Sequence, residues 1–398
     1  MGLNSSNPPP LPFAPRPHRG ENFTSWLLRL AGANHLTLDE LRDVVAPRDA
    51  GARAPVPDYE QSPTQRRKWA KLARISESAV RSLDLKTQFP FVDRRWLQLP
   101  DADWSVPVCS VYCPQCFGEQ MRNNVPLHLK AEWRLAFVTR CMDHATPLEQ
   151  FCPQCGIDEP VSFPPTTARC RRCWHNLAQN PRSAAQEREP GIVALQRIAV
   201  DAFAGKRISS DEAPGLSAPQ FRRLFSELIG LFTTGDFRHD RGTLIAALAP
   251  GRFRLREPYE RYLDPPFADR HWREREMVLS ALAELALPLA RRTIPNAWWV
   301  RRRHPHCSPL TMILKRVTQH RRRFMAIVGR WPKSFQDHIS RPYLDPEASP
   351  NLHGQLPHES CASALSVAER LEALCKTAPV SGYRKVRYLR AKSPGFRC

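Results

Sequence analysis

A chain of 398 residues is longer than one hydrophobic core usually organises, so two to three domains are expected. Its 59 Lys and Arg against 39 Asp and Glu leave a formal charge of +20, which favours a polyanionic partner, nucleic acid first. No run of about 18 apolar residues occurs, and the start MGLNSSNPPPLPFAPRPHRG lacks the apolar centre of a signal peptide, which argues against a membrane-spanning or exported protein. A cytoplasmic, nucleoid-associated protein without a membrane partner is expected. In that reducing compartment the 12 cysteines read as metal ligands or small core residues rather than a disulfide framework.

Residues 1–20, rich in proline, form a flexible arm or an extended docking strand. From Phe23 the residues Trp26, Leu27, Leu30 and Ala33 recur at helical spacing, with Asn22 or Thr24 as cap. Thr37 then caps a second short helix carrying Leu38, Leu41 and Val44 on one face. A second pair follows over residues 66–83, where Trp69, Leu72 and Ala73 precede Ile75 and Ser76 caps the next helix. Two short helices on a tight turn make a helix-turn-helix candidate, and Arg74 and Arg81 are placed where they could meet phosphate. A purely structural or partner-docking role for these pairs is the alternative.

The strongest signal lies between Cys113 and Cys173, where CPQC, CMDH, CPQC and CRRC follow one another. Each pair has a two-residue gap, so one tight turn aims both side chains at a single tetrahedral ion, and two turns close a site. Sequential pairing groups Cys113, Cys116, Cys141 and His144 as one site, and Cys152, Cys155, Cys170 and Cys173 as the other. Interleaved pairing, Cys109 in place of a neighbour, and His175 in place of Cys173 remain open at this level. Thiolate and imidazole donors select zinc, so two Zn2+ ions are expected. Four protein ligands leave no open position for water, so the role is structural and no catalytic residue is expected. A nucleic-acid deaminase is excluded because His144 is followed by Ala145 and Thr146 rather than by the required glutamate. Asp101 and Asp103 lack the matching partners of a nuclease.

Beyond Asn180, helical periodicity returns over residues 192–203, 221–232 and 277–289. Residues 297–330 then interleave Trp298, Trp299, Ile313, Val317 and Phe324 with Arg301, Arg302, Arg303, Lys315, Arg316, Arg321, Arg322 and Arg323. That is a basic-aromatic patch suited to nucleic acid, or an amphipathic helix with a solvated basic face. The expected architecture is therefore mainly α. An arm (1–20) leads to a helix-turn-helix domain (21–100) and a tandem zinc-finger or zinc-ribbon region (101–180). A second helical domain (181–343) and a polar, basic tail (344–398) follow.

The chain resembles the TniQ family of transposition proteins. The likeness rests on PRPHRGENFTSWLLRLAGANHLTLDEL, LARISESAVRSLDL, YCPQC, WRLAFVTRCMDHATPLEQFCPQCG and CRRC, with a weaker echo in RWPKSFQDHI. The family's Gly-Glu-Ser-Leu-x-Ser-Trp stands here as Gly20-Glu21-Asn22-Phe23-Thr24-Ser25-Trp26, and the second half shows no firm alignment. The resemblance implies that the eight ligands match two family zinc sites. It also implies a non-enzymatic target-selection adaptor that meets target DNA, an AAA+ ATPase regulator and a transposase complex. Some relatives dock instead on an RNA-guided CRISPR complex, and a second copy of the chain is a further candidate partner.

Overall fold

The computed structural model describes residues 9–45, 58–98, 111–156, 168–170, 172–179, 190–209, 216–233, 267–269, 272–287 and 326–336. Among them the chain is mainly helical, and strand pairing is confined to isolated bridges. Helix α1 (Phe23–Ala33) starts where Asn22 accepts a hydrogen bond from the Ser25 amide, and α2 (Leu38–Val45) starts in a reciprocal Thr37–Glu40 box. Helix α3 (Pro63–Leu72) begins with a Ser62–Gln65 capping box and proline in its first turn, upstream of the apolar signal at Trp69. Helix α4 (Glu77–Arg81) is capped by Ser76.

The two pairs share one turn. Helix α1 ends with His35 at φ 56° and the Leu36 amide bonded back to the Ala31 carbonyl at 2.9 Å; α3 ends with Arg74 at φ 51° and the Ile75 amide bonded to the Ala70 carbonyl at 3.0 Å. In both, the left-handed residue reverses the chain and the apolar residue after it, Leu36 or Ile75, packs on the common core. Phe23, Trp26 and Trp69 sit at the centre of that core, with ring centroids 5.7 to 6.4 Å apart. The core closes at Leu83.

Residues 9–20 run extended along these helices. The Leu11 amide donates to the Leu72 carbonyl, Asn34 exchanges two hydrogen bonds with the Phe13 backbone, and the Trp26 indole donates to the Pro15 carbonyl. Over these residues the arm is thus a docked strand, because side chains of α1 satisfy its backbone where its own apolar residues are few. Glu21 fastens the end of it. Fully buried, Glu21 takes a two-pronged ion pair from Arg29 at 2.6 and 2.9 Å, a hydrogen bond from the Ser25 hydroxyl and one from the His18 amide.

A second core runs from Leu85 to Phe335. It gathers α5 (Leu85–Gln88), the metal-ligand segment with α6 (Pro114–Arg122), and the later helices α7 (Pro190–Phe203), α8 (Ala218–Thr233) and α9 (Trp272–Ala286). Trp96 lies at its middle, about equally far from Phe203, Phe225 and Phe267 at ring centroid distances of 6.0 Å. Trp331 and Phe335, from the RWPKSF stretch, join the same core, and the Trp331 indole donates to Glu227 on α8 at 2.8 Å. The ligand segment and the later helices therefore share one interior rather than two. Between the cores stands Asp58. One of its oxygens accepts the Thr24 amide at 2.6 Å, and the other pairs with buried Arg134 at 2.8 Å.

Asp84 lies at the same seam. Burial raises its carboxyl to about 6, against the pull of the Gln61 amide and Arg66 and with a small push from Glu60. The folded state therefore holds this proton more tightly than the unfolded chain does. The stabilisation is complete below the ordinary carboxyl value of 3.8 and is lost as pH rises through about 6. Asp84→Asn is expected to flatten the fall in stability across that window and to raise stability above it, as read from urea midpoints at pH 4 and pH 8.

Candidate metal centre

Cys113 and Cys116 are presented by the start of α6. Cys113 is its N-cap, with Sγ accepting the Cys116 amide at 3.5 Å, and Pro114 fixes the first turn. Cys141 and His144 come from a tight turn in which the Ala145 amide returns to the Cys141 carbonyl at 2.8 Å and Ala145 takes φ 56°. The turn is gripped from outside the ligand segment. Buried Gln196 on α7 accepts the Thr139 and Arg140 amides and donates to the Arg140 carbonyl. Arg140 in turn reaches Glu276 on α9 at 2.7 Å and the Ala145 carbonyl at 3.1 Å.

The four donors converge. His144 Nδ1 lies 3.5, 3.4 and 3.5 Å from the sulfurs of Cys113, Cys116 and Cys141, and Cys116 Sγ is 3.6 Å from Cys141 Sγ. Those are close to the edges of a tetrahedron around an ion with metal–sulfur bonds of about 2.3 Å. The protonation pattern agrees. Hydrogen bonds from the Cys116 and Cys141 thiols hold Cys113 down to about 3, while the same contacts push Cys116 far up. A dication bound there displaces the thiol protons.

Glu119, one turn along α6 from Cys116, accepts from His144 Nε2 at 2.9 Å. It leaves Nδ1 to face the ion and fixes the ring's orientation, the usual second partner of a metal-binding imidazole. Glu119→Ala is expected to weaken the first site by about 10- to 100-fold and leave the second unchanged, measured by competition with a chromophoric chelator.

The second site joins Cys152, Cys155, Cys170 and Cys173, all four sulfurs lying within 4.8 Å of one another. Cys152 Sγ is 3.5 Å from Cys173 Sγ, and Cys155 Sγ is 3.7 Å from Cys170 Sγ. Both pairs repeat the turn seen at Cys141. Gly156 and Trp174 follow the second ligand at φ 63° and 57°, and their amides return to the Cys152 and Cys170 carbonyls at 3.0 and 2.9 Å. Burial opposes ionisation of Cys170, yet the Cys173 and Arg172 amides and the neighbouring thiols draw it down to about 7. These donors fit the same thiophilic, four-coordinate ion.

The spatial grouping is thus the sequential one, and His175 stands outside it, with Nε2 against the Gln179 carbonyl at 3.3 Å. Cys109 lies outside the described residues. Of the residues expected at nucleic acid, Arg74 and Arg81 are exposed on the second helix pair. Arg301, Arg302, Arg303, Lys315, Arg316, Arg321, Arg322 and Arg323 all lie outside the described residues, as do residues 344–398. Sequence spacing missed Glu119, Gln196 and Arg140. Glu119 alone left a trace, at the position facing Cys116 from one helical turn away.

Two closed clusters of four donors, each able to hold a metal ion, thus lie in a mainly helical chain. The TniQ family model matches residues 12–148, from the docked extended segment through the first centre. The match ends before Cys152, so the second centre and helices α7 to α9 lie beyond it. The family implies a role in the target selection of transposition. No curated protein matches the chain significantly. Among the described residues no helix is long and apolar enough to cross a membrane.

Proposed function

We propose that the chain is a non-enzymatic target-selection adaptor of a transposition complex, with one Zn2+ ion in each four-donor centre. The observation that carries this reading is the TniQ match over residues 12–148, which coincides with the first core, its docked strand and the first centre. Zinc follows from the donors, seven thiols and one imidazole with no carboxylate in either set. The adaptor binds target DNA through phosphate contacts, helped by the formal charge of +20, and recruits an AAA+ ATPase regulator and its transposase. The second helix pair acts as a helix-turn-helix, with Arg74 and Arg81 on phosphate, and a second copy of the chain joins it on the target.

The test is a gel shift with duplex DNA across a salt series. Replacing Arg301, Arg302 and Arg303 together, or Arg321, Arg322 and Arg323 together, is expected to weaken binding on all sequences and to flatten the salt dependence. Arg74→Ala with Arg81→Ala tests the helix pair in the same assay. An unchanged slope in all three variants removes the DNA-contact assignment and leaves a scaffold that docks on an RNA-guided CRISPR complex. Recruitment is read separately, by co-purification with a candidate AAA+ ATPase regulator.

A further inference from the structure

We propose that Trp174, at the tip of the last metal knuckle, is a stacking platform for an unpaired nucleobase, with Arg169 and Arg172 holding the phosphates on either side. The three metal-binding turns outside α6 place one residue each in the left-handed region directly after their second ligand: Ala145, Gly156 and Trp174. Glycine enters that region without strain, alanine with little side chain to accommodate, and a large aromatic residue has no local reason to be there. Trp174 is also 62% exposed, so its ring adds little to the core. Both the backbone strain and the exposed apolar face disfavour tryptophan at this position, and a ligand for the ring offsets both.

The surroundings indicate which ligand. Residues 168–170 and 172–179 carry exposed Arg169 and Arg172 and the half-buried His175, and no carboxylate. An Arg169 guanidinium nitrogen lies 3.5 Å from the Trp174 carbonyl oxygen, which holds a cation against the backbone of this turn. The platform is rigid. The Cys170 amide bonds to the His175 carbonyl, the Leu177 amide to the Ala168 carbonyl, and Leu177 is fully buried beneath the turn. A flat aromatic face flanked by fork-shaped cations on a fixed support suits a base whose own face is free, together with its backbone phosphates. In a duplex those faces are covered by neighbouring pairs, so the ligand is a single strand. This holds whether or not the second helix pair binds duplex DNA.

The test uses the full-length, metal-loaded protein and fluorescence anisotropy with labelled single-stranded RNA, single-stranded DNA and duplex DNA, each about 15 nucleotides long, a span within the usual single-strand site sizes. Trp174→Gly relieves the backbone strain and removes the ring, and Trp174→Phe keeps a ring. Metal content is measured on every variant. The expected result is a loss of about 10-fold or more in single-strand affinity for Trp174→Gly, with Trp174→Phe close to the parent and duplex affinity unchanged. The two single-strand arms show whether RNA or DNA is preferred. The proposal is overturned if the parent binds neither single strand, if Trp174→Gly binds both as well as the parent, or if single-strand and duplex affinities fall together. Failure of the adaptor reading would appear instead in the duplex arm and its salt slope.

Discussion

Cys141→Ser is expected to remove one of two zinc ions per chain and to abolish cooperative unfolding of the larger core. The sulfur is fully buried, and it belongs to the same interior as Trp133, Phe137 and the helices α7 to α9. In small zinc domains the metal contributes about 10 to 16 kcal/mol of apparent folding free energy, as much as the whole stability of a typical domain. Losing it here also releases the turn that Gln196 and Arg140 grip, so α7 and α9 lose polar partners as well. Metal analysis and near-ultraviolet circular dichroism read the two effects together. Strong chelators should act on the parent in the same direction. Cys173→Ser should be milder, since that ligand is only half-buried. A Cys141→Ser protein that kept two ions and an unchanged melting curve would remove the structural role assigned to the first centre.

Glu21→Ala carries the second large effect, a loss of about 3 to 5 kcal/mol. The substitution leaves Arg29, only 4% exposed, with a buried charge and no carboxylate opposite it. It also strips the Ser25 hydroxyl and the His18 amide of their acceptor. Two readouts separate this from a general weakening. Urea denaturation gives the stability loss, and trypsin should cut faster after Arg19, which lies exposed on the docked strand and is followed by Gly20. Arg29→Ala should do the same, and the double variant should cost less than the sum, because the two residues form one interaction. Equal protection of Arg19 in the variant would count against Glu21 as the fastener.

The same pair explains the motif around it. Gly20 at φ 75° turns the chain, and its carbonyl accepts the Ala131 amide at 2.7 Å. The Asn22 amide then bonds to the Leu129 carbonyl, and the Ser25 hydroxyl accepts the Leu129 amide. Gly20, Glu21, Asn22 and Ser25 therefore form the joint between the first core and the ligand segment, while Trp26 fills the core itself. A sequence reading sees in this stretch only a cap and the start of a helix.

What the sequence determined by itself was local. Helical periodicity, capping residues and the two-residue gaps between ligands are properties of a few neighbouring positions, so α1 to α4, α7 to α9 and all eight metal ligands could be read along the chain. Which ligands share an ion was open until the fold brought their atoms together, because four equal gaps are compatible with more than one pairing. Tertiary structure alone decided where the cores divide. Helical periodicity returning beyond Asn180 suggested a boundary there, whereas the packing divides at Leu83 and Leu85, with the ligand segment and later helices around one interior. It also decided the polar joints. Glu21 with Arg29, Asp58 with Arg134, Gln196 with the Thr139 and Arg140 amides, and Glu119 with His144 join residues 8 to 76 positions apart. No local pattern encodes such pairs, since each partner is an ordinary polar residue until burial leaves it one group to bond.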